Sequence, residues 1–407
     1  MTVSTTVPSG FVAANRTALR NTSRKQQTVE MNGYRICEQC VMDTTDTAIT
    51  FDDEGICDHC HSVQEHVRPN WHTDQRGRDE LARIVERIKH DGRKRDFDCI
   101  MGMSGGADSS YLLHVAVKDF GLRPLVFHVD GGWNSQLAVH NIEKMIDGLG
   151  LDLFTEVIDW EEMKDFQLSY FKSGLPNIDV PQDHAFIATL YNFADKHKIG
   201  YILNGGNYST ECVRNPLEFF YHGTDMAQIR DVQSRFGTRK LKNYPFSSIL
   251  RHKFYLRYVR RIQVVKPLNY VPYIKADAMQ ELADLYDWTP YPQKHFESRF
   301  TRFYEGYWLP KKFGFDSRRV QFSSLILTDQ MTREAALEEL AKPAISDEDA
   351  RNEFDYVAKK LGISTEELQG YFDQPNRSHR DYKNQEAMFQ AGSKLLNWFG
   401  IERNVKR

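Results

Sequence analysis

The chain has 407 residues and a net charge of −3; 41% of its residues are apolar, 27% are charged, and 25 Gly with 14 Pro make up under a tenth. That length supports two or three compact domains, and that composition excludes collagen-like, low-complexity and disulfide-scaffold classes. The near charge balance gives no global attraction to nucleic acid or anionic lipid, and no apolar run approaches the length of a membrane span.

Residues 1–33 are rich in Ser and Thr and carry Arg16, Arg20, Arg24 and Lys25 against one acid, Glu30. Their longest apolar stretch, Phe11 to Ala14, is too short for a secretory signal. A disordered tail is expected, a transit peptide being the other reading of this composition, and the protein is expected to be cytoplasmic. Residues 34–66 follow with Cys37-Glu-Gln-Cys40 and Cys57-Asp-His-Cys60, the pairs separated by sixteen residues. Two CxxC knuckles at this spacing predict a zinc ribbon in which four thiolates close a tetrahedron, leaving the metal a structural role. Disulfides or an iron–sulfur centre are the other chemistries of four such cysteines; a reducing compartment disfavours the first. His59 and His61 are read as spectators.

From residue 79 to 290 the pattern becomes α/β. An amphipathic helix with Leu81, Ile84, Val85 and Ile88 precedes a buried strand over Phe97–Met103. Ser104-Gly105-Gly106-Ala107-Asp108-Ser109 then joins that strand to a helix bearing Leu112, Leu113, Val115 and Ala116. Glycines that allow a tight turn, a helix N-terminus and two serine hydroxyls together make a cradle for pyrophosphate. The lysine of a Walker loop is absent, so γ-phosphoryl transfer of that type is not indicated. Strands at Leu125–Val129, Leu153–Ile158 and Tyr201–Leu203 alternate with helices at Gln136–Gly148 and Ala185–His197. That alternation predicts a doubly wound parallel sheet.

The Ser104–Ser109 loop resembles that of the PP-loop ATP pyrophosphatases, also called adenine nucleotide alpha hydrolase-like proteins. The resemblance implies an ATP site at Ser104, Gly105, Gly106, Ala107, Asp108 and Ser109, with Asp130 and Gly131 near adenine and ribose, and cleavage to AMP and pyrophosphate. Asn204-Gly205-Gly206-Asn207-Tyr208-Ser209-Thr210-Glu211 is similar to a stretch of NAD synthetase. It implies Gly205 as a nucleotide contact and Glu211 with Asp108 as a magnesium pair. Lys266 of Lys266-Pro267-Leu268 is expected at the α-phosphate.

Between Arg235 and Arg261 nine Lys or Arg residues interleave with aromatics and no acid occurs. Such a stretch suits a nucleotide-sugar pyrophosphate, RNA, or a solvated helical face. Residues 291–407 are expected to be a helical C-terminal region, with helix starts at Ser346–Asp349 and a capping box at Ser364–Glu367. Within it, Tyr291–Pro310, Lys312–Arg319 and Leu327–Arg333 are similar to the N-acetyl sugar amidotransferases of the WbpG and PseA type.

This second resemblance implies an ATP-dependent ligase that adenylates the oxygen of a sugar's N-acetyl group and replaces it with ammonia, in surface-polysaccharide (O-antigen or lipopolysaccharide) precursor synthesis. His295, Glu297, Arg299 and Arg302 are the implied substrate residues, and ATP, Mg²⁺ and structural Zn²⁺ the cofactors. Cys99 in its apolar strand and Cys212 after Glu211 both lack the setting of a glutaminase nucleophile. A separate glutaminase is therefore expected; the resemblance implies one with an ammonia-channelling subunit, like those of imidazole glycerol phosphate synthase, and nucleic acid is not expected as a partner. The rival readings are a tRNA-modifying PP-loop enzyme using Cys212, and a non-catalytic ATP-binding zinc scaffold.

Overall fold

Alternating apolar strands and amphipathic helices have one economical packing, a sheet covered on both faces, and the computed structural model has it. It describes residues 33–398; the N-terminal tail up to residue 32 lies outside the described residues. The described residues from Arg35 onward form one compact unit.

Helix α1 (Gln75–Gly92) is capped by Asp74, whose carboxylate accepts from the Arg76 and Gly77 amides, and it buries Leu81, Val85 and Ile88. Strand β1 (Cys99–Gly102) leads through the glycine loop into α2 (Ala107–His114). Then come β2 (Pro124–Asp130), α3 (Gln136–Leu149), β3 (Leu153–Val157), α4 (Trp160–Ser173), α5 (Val180–Lys196) and β4 (Tyr201–Leu203). The short α6 (Tyr208–Glu211), α7 (Met226–Phe236), β5 (Gln263–Val265) and α8 (Lys275–Tyr286) complete the α/β part.

All five strands are parallel, in the order β3-β2-β1-β4-β5. Successive side chains of β1 face opposite layers, as the pleat requires. Cys99 and Met101 pack with Leu81, Leu112, Met145 and Leu282, whereas Ile100 packs with Phe127, Ala194 and Ile202. Cys99 is thus a core residue, as its sequence context predicts. The chain winds outward from β1 through β2 and β3, then crosses to β4 and β5 on the other side. The switch point between the carboxyl ends of β1 and β4 is where ligands bind in such sheets.

Helix α5 begins five residues before the expected Ala185, because Pro181 in its first turn needs no amide partner there. Helix α4 was not singled out in the sequence; residues on most of its faces are buried, among them Phe166, Tyr170 and Phe171, which hides the one-sided stripe of a surface helix.

The C-terminal region is helical: α9 (Arg299–Phe303) runs on through the wide turns of Tyr304–Phe313, followed by α10 (Arg318–Leu327), α11 (Arg333–Leu340), α12 (Asp347–Leu361), α13 (Thr365–Asp373) and α14 (Glu386–Trp398). Ser346 and Ser364 cap α12 and α13 as expected. The Ser364 hydroxyl accepts from the Glu367 amide, but the Glu367 carboxylate is engaged by the Tyr371 hydroxyl; both halves of a capping box occur instead at Ser378 and Asp381.

Candidate functional site

The four ribbon cysteines are wholly buried and their sulfurs lie within 4.8 Å of one another. Neighbouring sulfurs are 3.7–3.8 Å apart. A tetrahedron of thiolates about 2.3 Å from a zinc ion has edges of about 3.8 Å, so the donor set and its spacing fit one such ion, and the separations are far beyond a disulfide bond. Spectator His59 pairs with Asp46 instead, at 2.9 Å. The ribbon is fastened to α10 and α11. Ser323 accepts from the Val41 amide, Arg319 donates to the Val41 carbonyl and pairs with Asp43, and Arg333 donates to the Cys37 and Cys40 carbonyls.

A cleft of ≈ 570 Å³ opens at the switch point. Its floor is the Ser104–Ser109 loop. Gly105 has φ +84°, and a Cβ there would stand 2.8 Å from the Ala138 carbonyl, so only glycine fits. The Trp288 indole and the Tyr291 hydroxyl both donate to the Gly105 carbonyl at 3.2 Å, fixing the turn from above. Ser104 and Ser109 hydroxyls lie 3.2 Å apart, and Ser104 also accepts from the Gly106 amide. Gly205 closes the gap from β4: a Cβ would lie 3.2 Å from the Asp108 carbonyl group. Replacing Gly105 by Ala should cost about 1–3 kcal/mol of stability and weaken binding of a polyphosphate at least about tenfold. Thermal melts with and without nucleotide check this.

Asp108 and Glu211 converge, as the sequence predicts, but on a cation the sequence reading missed. Lys294 Nζ lies 3.2 Å from Asp108 Oδ2 and 2.6 Å from Glu211 Oε1. Burial works against the Asp108 carboxylate, yet Lys294, Lys275 and a 2.6 Å hydrogen bond from the Tyr273 hydroxyl outweigh it and hold its pKa below the ordinary range. Lys294 is likewise buried, and its two acids keep it protonated. Lys275, in the first turn of α8, shares the cleft; burial foremost, with Lys294 nearby, lowers its pKa against the pull of Asp108. Lys266 is exposed at the end of β5, its Nζ 3.3 Å from where a Gly206 Cβ would sit.

Of the residues expected to bind substrate, His295 and Glu297 line the cleft. Glu297 Oε1 accepts from Ser104 Oγ at 3.3 Å and would lie 2.8 Å from a Cβ on Gly106, so it stands over the phosphate cradle. Arg299 and Arg302 are turned the other way and do not line the cleft. Arg299 pairs with Glu353 at 2.9 Å and lies over the Tyr356 ring, and Arg302 pairs with Asp349 at 2.8 Å, so both tie α9 to α12. Asp130 and Gly131 are also outside the cleft lining. The Asp130 carboxylate accepts from the Gly132 amide at 2.7 Å in a tight turn, and a Cβ on Gly131 would meet Phe186 and Met163. Further lining comes from α10 and the residues after it, including Arg318, Gln321, Phe322, Gln330 and Glu339.

His295 has φ +66°, a conformation a non-glycine residue holds only when its surroundings impose it. Its Nδ1 lies 3.1 Å from Glu305 Oε1. Burial opposes a charge on the ring, but the Glu305 carboxylate prevails and lifts its pKa to about 9. This pair, with its ring half-exposed and its carboxylate buried, therefore contributes stability that is full below about pH 6.5 and fades as pH rises through about 9. Glu305→Gln should bring the His295 titration, followed by NMR, to 6.5 or below, since burial and the Lys294 charge then outweigh Glu297; a midpoint still near 9 would contradict the pairing.

The basic stretch 235–261 lies apart from the cleft. Arg235 pairs with Asp231, Arg239 with Glu161, and Arg251 and Arg260 with Asp195. Much of its charge is thus spent within the fold. Burial pushes the Cys212 thiol up to about 11, and its sulfur faces the Ser324 carbonyl at 3.7 Å. Neither that nor the buried Cys99 has the setting of a nucleophile.

A parallel sheet wound to both sides of β1, with a glycine cradle at its switch point and a thiolate ribbon ahead of it, defines a doubly wound α/β protein. Residues 297–396 match the family described as LPS biosynthesis protein WbpG-like, C-terminal domain. Among curated proteins no match is found. Similar solved structures include NMN synthetase from Francisella tularensis, at 13% identity and TM-score 0.31, covering 74% of this chain and 97% of that one. The NH3-dependent NAD synthetase from Campylobacter jejuni has 14% identity and TM-score 0.26, with coverage of 51% and 84%. NAD+ synthetase from Burkholderia pseudomallei has 16% identity and TM-score 0.25, with coverage of 56% and 91%. Likeness at that level is too slight to add to what the strand order establishes. Among the described residues no helix is long and apolar enough to cross a membrane.

Proposed function

We propose that the protein is an ATP-dependent amidotransferase that converts the N-acetyl group of a nucleotide-linked or nonulosonic sugar into an acetamidino group, on the way to lipopolysaccharide or a related surface glycan. The observation that carries this reading is the meeting, in one cleft, of a phosphate cradle, the Asp108–Glu211 carboxylates with Lys294, and side chains of the WbpG-like C-terminal region.

In this reading the loop amides and the Ser104 and Ser109 hydroxyls hold the β- and γ-phosphates, and Asp108 with Glu211 would hold magnesium, whose chemistry is to neutralise phosphate oxygens. Lys294, Lys275 and Lys266 add positive charge around the α-phosphate. The sugar lies toward Gln321, Gln330 and His295, where its amide oxygen can attack phosphorus and release pyrophosphate. Ammonia then displaces AMP. The chain's task is to orient the two reactants, steady the developing negative charge and keep water from the adenylated intermediate.

Ammonia is supplied by a separate glutaminase and channelling subunit, in keeping with two cysteines that burial leaves unreactive. The same burial of Cys212 speaks against the tRNA-thiolating alternative. Nucleotide-bound substrates put the reaction in the cytoplasm.

The test is incubation with ATP, magnesium, ammonium and a panel of N-acetylated nucleotide sugars, read by mass spectrometry. Replacement of a carbonyl oxygen by an imino group, with AMP formed in equal amount, is the expected result. Release of ADP, or AMP without change in any sugar, would defeat the proposal.

A further inference from the structure

A second cavity opens at the other end of the sheet from the cleft. It measures ≈ 620 Å³ and lies where β1, β4 and β5 begin, bordered by the last turns of α1 and α5. Six cations line it: Arg87, Arg93, Arg95, Lys198, Arg260 and Arg261. Three acids, Asp91, Asp98 and Asp195, stand against them, and each is already engaged. Asp98 holds Arg123 at 2.7 Å and Asp195 holds Arg251 at 2.7 Å, both partners lying outside the lining, and Asp195 also takes Arg260. Asp91 accepts from the Tyr201 hydroxyl at 2.6 Å and lies 3.2 Å from His90, with the Arg87 charge acting on it.

The other cations keep their charge. Arg93 donates to the His90 carbonyl and Arg95 to the Lys198 carbonyl, bonds that satisfy carbonyls at helix ends without neutralising a guanidinium. Among the described residues the Lys198 and Arg261 side chains have no hydrogen-bond or ion-pair partner. Both residues are also held at a positive φ, +57° and +56°, just past the ends of α5 and of the Arg251–Val259 segment, which has the wide turns of a π-helix. Glycine is the usual occupant of that position, because a side chain there is strained. Both side chains are exposed, so packing gives neither a reason to be there, yet both bring a cation to the same cavity. Strain accepted twice for one charge at one place points to a ligand.

We propose that this cavity is a second phosphate site, which holds the phosphate chain of an inorganic polyphosphate or of a nucleotide. Guanidinium forks match phosphate oxygens two at a time, and a lysine adds a compact charge. Cations from three separate segments of the chain meet there, and the volume is more than a single phosphate fills. Among the described residues the aromatic in the lining is Tyr201, which is buried and whose hydroxyl is used by Asp91. It offers no open face to a base, so recognition falls on the phosphates. The site does not depend on the amidation proposed above.

Calorimetric titration of the full chain with inorganic triphosphate should show two binding events, one weakened by Gly105→Ala and the other by the double variant Lys198→Gly/Arg261→Gly. The double variant should weaken its event about tenfold or more. Lys196→Ala, which removes an exposed charge nearby but outside the lining, should change it by less than about twofold. Glycine relieves the backbone strain, so the double variant without ligand should melt no lower than the wild type, a result that a structural role for the two side chains would not give. A melting temperature lowered by the glycines, a loss in Lys196→Ala as large as in the double variant, or a single event that Gly105→Ala alone weakens would each overturn the site. In Gly105→Ala protein, ATP should bind there as tightly as triphosphate; an affinity about tenfold higher would reveal a base pocket and overturn recognition through phosphate alone. If ATP is never converted to AMP, the amidation reading fails, while the triphosphate titration still decides this site.

Discussion

Asp108→Asn should lower the rate of AMP formation by about a thousandfold, the scale seen when one pre-placed electrostatic group is removed from a site where charge develops. One oxygen of this carboxylate receives the Tyr273 hydroxyl at 2.6 Å and the Asn207 amide at 3.3 Å, and the other faces Lys294. An asparagine keeps the first role and loses the second, while Lys294 retains Glu211 at 2.6 Å. The fold should therefore lose little, about 1–2 kcal/mol, and a melting curve near that of the wild type separates lost chemistry from lost structure. Lys294→Met is the informative counterpart. It leaves Asp108 and Glu211 adjacent without their cation, so magnesium should raise its melting temperature more than that of the wild type. Equal magnesium responses would contradict the assignment of these carboxylates to a shared metal.

Removal of the ribbon metal, by chelation or by Cys40→Ser, should lower the melting temperature by roughly 5–10 °C and abolish turnover, although no ribbon cysteine lines the cleft. Without the ion, four buried thiols have nothing to hold their knuckles, and the Cys37 and Cys40 carbonyls lose the geometry that Arg333 reads. The disturbance then has a short route to the site. Helix α10 is held to the ribbon through Ser323 and Arg319, and its Ser324 holds the Val213 amide, two residues beyond Glu211. Thr328 and Gln330 donate to the Ser209 carbonyl within α6. Zinc content by elemental analysis, followed by restoration of both stability and activity on adding zinc back, is the check. Full activity in metal-free protein would contradict this coupling.

What was legible in the sequence is what is local in the chain. The glycine loop between an apolar strand and a helix, the two CxxC knuckles and the serine caps of α12 and α13 each declare themselves within a few residues. The alternation of strands and helices gave the sheet for the same reason. Lys294 and Lys275 escaped notice because a lysine in a loop or in a helix's first turn has no local mark of its role; packing alone brings them to Asp108. Arg299 and Arg302 show the converse error. Beside His295 and Glu297 they read as ligand-binding charges, but their partners Asp349 and Glu353 lie some fifty residues on, across a helix contact that a run of residues does not reveal. Asp130 sits at a strand end, as expected, yet its carboxylate is used by its own turn.

The segment from Lys294 to Glu297 has one further consequence. Its lysine occupies the position of a metal between two carboxylates, and its glutamate occupies the position of an anion above the glycine turn. The resting protein is in this sense self-liganded: four neighbouring residues imitate both halves of a magnesium–polyphosphate complex. Nucleotide uptake is then an exchange of an internal ion pair for an external one, and the affinity measured from outside is the difference between the two.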